Sequence, residues 1–171
     1  IPLIDTHQHL WDLDKLTLSW VKGLELMDRS YLMSDYLRAT AGTGIEKTVY
    51  MEVNVDPNCI DLEVELMTQH CKTSDNPMQA LVISLDPMAK SFHDDLKQQV
   101  DNPFVRGVRS VLHTPGTETG FCLQDDFIVA KPVEVLHHAL DRPLDAASFG
   151  LDHIAEGRLG LPHPSSCLLY T

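Results

Sequence analysis

His7 and His9 stand two residues apart in the run Leu3-Ile4-Asp5-Thr6-His7-Gln8-His9-Leu10-Trp11-Asp12. Residues i and i+2 of an extended backbone point to the same side. Two imidazoles on one face, at the C-terminal end of a strand, can share one divalent ion or one anionic substrate. In an α/β barrel that end of the strand is where chemistry sits. A pair of satisfied structural histidines is the plain alternative. The position of the pair favours chemistry, because Ile1-Pro2-Leu3-Ile4 leads into it like a buried strand. Asp5 is expected to orient a ring nitrogen, and Trp11 and Asp12 to wall a pocket.

Three further residues are candidates. Glu52 closes a second strand-like run, where it would hydrogen-bond substrate or touch a metal; a rim carboxylate paired with a lysine is the alternative. Arg109 lies two residues beyond Gly107. An arginine facing a barrel interior is costly unless it meets a carboxylate, and its planar fork suits a sugar-acid or carboxylate substrate. His113 shares the parity of Arg109 and falls past the strand end, where it would contact substrate. Arg106 has the opposite parity and is expected to face the surrounding helices or the rim. Thr114-Pro115-Gly116-Thr117 reads as a turn, either part of a lid or a simple connection.

These residues need a scaffold of alternating strands and helices. Strand-like segments fall at about 2–7, 47–55, 79–85 and 104–112. Helix-like segments fall near 34–41, 60–72 and 92–100. The run Ala80-Leu81-Val82-Ile83 is continuously apolar, which suits a sheet covered on both faces. Ser34 is a plausible N-cap, and Gly42 and Gly44 punctuate the end of that helix. Helix 60–72 presents Leu62, Leu66 and His70. Ser91 with Asp94 has the form of a capping box. This rhythm predicts an α/β fold with a parallel sheet, built from four βα steps.

Composition bounds the partners. The chain has 171 residues, 43% of them hydrophobic and 22% charged, as expected for a globular domain. A formal net charge of −12 argues against nucleic-acid or anionic-membrane partners. No stretch approaches the roughly 20 apolar residues of a membrane span, and no signal peptide is visible. Cys59, Cys71, Cys122 and Cys167 are too scattered for a zinc ribbon. Reduced, partly buried thiols fit a cytoplasmic protein.

The rhythm ends near Asp125-Asp126-Phe127. Pro132 interrupts the helix that should follow, and Arg142-Pro143 ends the next short one. His137, His138, His153 and His163 match no ligand spacing. Residues 1–127 therefore read as one unit, and 128–171 as a divergent tail, frameshifted or alternatively spliced.

The segments Asp5–Asp12, Thr48–Val55 and Phe104–His113 together resemble the amidohydrolase-2 family. The likeness is to its TIM-barrel hydrolases, the branch of L-fuconolactonase and the pyrone-dicarboxylate lactonases. It covers about residues 1–127. The resemblance implies a partial (β/α)8 TIM barrel that opens a lactone of a sugar acid or dicarboxylate. It also implies that His7 and His9 line the site, with a divalent metal such as zinc as the candidate cofactor. The family's further histidines and its catalytic aspartate come from later strands that this sequence does not reach. The chain as written is therefore expected to be inactive, with no catalytic base to assign. A non-catalytic half-barrel acting by partner binding, and a metal-dependent decarboxylase with the same His-x-His opening, are the alternatives. Four βα units alone leave open sheet edges, which predicts self-association.

Overall fold

The computed structural model describes residues 1–112 and Gly120. His113, the 114–117 turn, Cys122, Cys167 and the expected tail boundary at 127 lie outside the described residues. Within them the elements alternate as the sequence predicts. They are β1 (Leu3–Gln8), α1 (Met33–Ala39), β2 (Ile45–Met51), α2 (Ile60–Lys72), β3 (Met78–Ser84), α3 (Phe92–Val100) and β4 (Val105–Arg109). All the strands are parallel, in the order β1-β2-β3-β4. This is the first half of a (β/α)8 barrel, with its strand C-termini at one end.

The continuous apolar run has the expected consequence. Met78, Ala80, Leu81 and Ile83 of β3 are buried on both faces of the sheet, and α2 packs on that strand. Of the two leucines of α2, Leu66 packs against the core and Leu62 does not. Leu62 is exposed, and Glu63, Val64 and Met67 are buried. The long connection 9–32 folds back on the sheet. Leu10, Leu16, Leu18 and Val21 enter the core, and Trp11 and Tyr31 exchange backbone hydrogen bonds of 3.0 and 2.8 Å.

Ser91 stands at the expected N-cap position of α3, while Ser34 does not cap α1. Helix α1 starts two residues earlier than an N-cap at Ser34 would place it, with Leu32 as its N-cap. Asp35 Oδ2 accepts the Leu32 N–H at 3.0 Å, and a carboxylate there also meets the positive end of the helix dipole. Ser91 gives α3 no side-chain cap; its carbonyl accepts the Asp94 N–H at 2.9 Å instead.

Gly44 sets the start of β2. Its φ is +84°, its carbonyl accepts the Leu3 N–H at 2.8 Å, and an added Cβ would lie 2.9 Å from the Ile1 carbonyl oxygen. Left-handed backbone costs an L-residue about 1–2 kcal/mol. Gly44→Ala is therefore expected to lower the free energy of unfolding by at least that much. An unchanged urea midpoint would show that the turn relaxes freely.

Candidate active site

Strand order brings His7 and His9, Glu52 and Arg109 to the same end of the sheet. In register, Gln8 pairs with Tyr50, Met51 with Val82, and Ser84 with Arg109. The residues just past these pairs are the strand ends that a barrel uses for chemistry. The His7 and His9 rings lie edge to face, with centroids 4.8 Å apart. His7 is exposed and His9 half-buried.

His9 Nδ1 lies 2.9 Å from the Met51 carbonyl oxygen. A carbonyl only accepts, so Nδ1 carries the proton and Nε2 keeps its lone pair. This is how ligating histidines are commonly oriented. The sequence assigned the task to Asp5, and the structure corrects that. Asp5 Oδ1 accepts the His7 backbone N–H at 3.0 Å, and Oδ2 accepts the Tyr36 hydroxyl at 2.7 Å. Asp5 thus steadies the strand and not an imidazole.

Burial lowers the His9 pKa below the ordinary imidazole range. His7 and Arg109 add to the shift, while the Met51 carbonyl and Glu52 oppose it. A proton NMR titration of the ring is expected to give a midpoint below 6.5, the ordinary value. Below 6.5 the unfolded chain then binds more protons than the folded one. His9 therefore withdraws stability as pH falls from 6.5 toward its folded midpoint. A midpoint at or above 6.5 would remove this account of His9.

Glu52 is fully buried, one residue beyond the end of β2. It forms an ion pair with Arg109, whose Nε donates to Glu52 Oε1. Arg109 Nη2 also donates to the Glu52 backbone carbonyl at 3.0 Å. Glu52 Oε2 accepts the Asn54 N–H at 2.7 Å, across a tight turn in which Asn54 has φ of 53°. Both carboxylate oxygens are thus taken. The buried partner of Glu52 is an arginine and not a rim lysine. Arg109 retains Nη1, which has no hydrogen-bond partner among the described residues, and its side chain is 19% exposed. Arg106 Nη1 donates to the Val105 carbonyl at 3.0 Å, and its charge acts on Cys71 of α2. Burial pushes the Cys71 thiol up to about 12, so it is no nucleophile at neutral pH.

Trp11 and Asp12 are both engaged with partners of their own. Trp11 is buried in the core, and its indole N–H donates to the Arg29 carbonyl at 2.7 Å. Asp12 closes a turn, accepting the Asp14 N–H at 3.1 Å and pairing with Lys15 at 3.2 Å. Trp20 stacks edge to face on Trp11, with ring centroids 6.1 Å apart. It is partly exposed, and its indole N–H reaches the Val53 carbonyl at 2.9 Å.

The histidine pair supplies two nitrogen donors, one with its tautomer fixed. Among the described residues no group of three His, Cys, Asp or Glu is placed to hold a metal ion. Cys59 and Cys71 are free thiols, and no described helix is long and apolar enough to cross a membrane.

No protein-family model matches the chain, and no curated protein matches it either. Solved structures do. An amidohydrolase 2 from Bifidobacterium longum subsp. infantis is 23% identical with a TM-score of 0.54, over 75% of this chain and 46% of that one. An amidohydrolase from Burkholderia multivorans, solved with bound HEPES and again with bound zinc, is 18% identical with a TM-score of 0.58. That match covers 76% of this chain and 44% of the bacterial one. At these identities the likeness is one of fold: four strands of an amidohydrolase-type barrel. The chain spans less than half the length of the structures it matches.

Proposed function

We propose that this chain is the N-terminal half of a hydrolase site that opens a lactone of a sugar acid or dicarboxylate. The observation that carries the reading is the His7–His9 pair at the end of β1, with His9 Nδ1 committed to Met51 and Nε2 left open. The fold neighbours are amidohydrolases, one of them solved with zinc, and this supports a hydrolytic reaction over other barrel chemistries.

His7 and His9 would hold a divalent ion such as zinc. Glu52 is a poor further ligand, since both its oxygens are engaged. Water, or residues outside the described ones, would complete a four-ligand shell. When bound, the ion polarises the lactone carbonyl as a Lewis acid. Arg109, locked by Glu52, offers Nη1 to the substrate's carboxylate. Glu52 therefore acts by orienting Arg109. His113 is assigned to substrate contact from its position past β4. Asp5 and Glu52 are engaged, so neither is assigned as general base, a role that typically contributes roughly 10²–10⁴-fold in rate.

The test is a panel of sugar-acid and dicarboxylate lactones set against carboxylated aromatics, assayed with the protein and added zinc. Ring opening supports the proposal. Carbon dioxide release from the aromatics would replace it with a decarboxylase.

A second reading has its own observation. Leu3 and Ile4, on the edge strand β1, are 47% and 37% exposed. An open apolar edge invites a further chain, so partner binding by a half-barrel is the alternative to catalysis. A concentration-dependent dimer that opens no lactone would favour it.

A further inference from the structure

Glu63 lies on α2, among the apolar side chains of the helix's inward face, with about 1% of its surface exposed. Carboxylates are rarely buried in this way without a cation, and among the described residues no cation touches this one directly. Its Oε1 has two neighbours. One is the Val53 N–H, which donates to it at 2.9 Å; the other is the Tyr50 hydroxyl, at 2.7 Å. Its Oε2 has no partner among the described residues. The Tyr50 hydroxyl also lies 3.2 Å from the Leu10 carbonyl.

Each contact ends beside a residue of the site. Leu10 follows His9 at the end of β1. Val53 follows Glu52 at the end of β2. We propose that Glu63 is a positioning residue: through Tyr50 it ties down Leu10, and directly it ties down Val53. It thereby sets where His9 stands relative to the Glu52–Arg109 pair. The inference rests on the proposed hydrolase site for its functional meaning, but the contacts exist whatever the reaction.

The Tyr50 hydroxyl reaches two acceptors, Glu63 Oε1 and the Leu10 carbonyl, and Glu63 Oε1 also accepts the Val53 N–H. The charged and titratable groups that face Glu63 are Tyr50, Glu52 and Arg109. Burial raises the Glu63 pKa above the ordinary carboxylate value and Glu52 adds to it, while the Tyr50 and Val53 hydrogen bonds and Arg109 oppose the shift.

One measurement on the chain tests the proposal without reference to catalysis. Nitrogen-15 NMR of the histidine rings is expected to show His9 as a single Nδ1–H tautomer in the parent. Glu63→Gln and Tyr50→Phe should each convert it to a mixture. Tyr50→Phe keeps the Val53 bond and the aromatic packing, so it serves if Glu63→Gln does not fold. A His9 tautomer unchanged in the variants that fold overturns the proposal. Failure of the lactone assay does not touch this measurement, so the two readings fail separately.

Discussion

Arg109→Met is expected to destabilise the chain by about 3–5 kcal/mol, the usual cost of removing one partner from a buried ion pair. Glu52 is wholly buried, and Arg109 supplies the only cation that touches it among the described residues. Without Arg109, one Asn54 N–H remains to stabilise the carboxylate. A contact pair at an effective dielectric near 20 is worth about 4 kcal/mol, so the loss is of that order. The 19% exposure of Arg109 lets some water in, which favours the lower half of the range. Glu52→Gln combined with Arg109→Met should cost less than Arg109→Met alone, since no charge is then stranded. Urea unfolding with unchanged slopes measures both. A loss below about 1 kcal/mol for Arg109→Met would place the pair with surface salt bridges instead.

Leu81→Ala is the second large effect, expected at about 2–5 kcal/mol. Leu81 is fully buried in β3 and pairs with Tyr50 on one side and Val105 on the other. A cavity there is walled by strands on both sides and has little room to collapse, which argues for the upper part of the range. The His9–Met51 bond lies at the end of the sheet, so the His9 ring tautomer should be unchanged in the folded variant. A loss near 1 kcal/mol would mean that the half-barrel core is loosely packed around β3.

These expectations show which parts of the molecule are legible in the sequence. The βα alternation was readable because its signals are local. Ala80 to Ile83 is an unbroken apolar run, and a strand buried on both faces needs one. The approach of His7 and His9 was readable too, since it follows from the two-residue strand period. What the sequence hid were partners distant along the chain. The Met51 carbonyl that fixes His9 lies 42 residues away, and a backbone group has no residue-type signature. Arg109 was marked as needing a carboxylate, but Glu52, 57 residues earlier, could be matched to it only once the sheet order was known.

Glu63 was hidden for a different reason. A glutamate on a helix reads as solvent-facing, and of the two leucines expected inward only Leu66 packs on the core. Yet Ile60, Glu63, Val64, Met67 and Cys71 recur at helical spacing, and that stripe is the one turned inward. Trp11 misled in the opposite direction. Its place beside the histidines suggested a pocket wall, but the 9–32 connection folds back and buries it against Tyr31, at 4.8 Å between rings.

The central claim is that His7 and His9 form the working end of a metal-assisted hydrolytic site. Calorimetric titration of the metal-free chain with zinc, run on the parent and on His9→Ala, tests it most directly. The account predicts binding by the parent at one ion per chain, with release of heat that disappears in His9→Ala. Equal binding by the two proteins, or none by the parent, would contradict it.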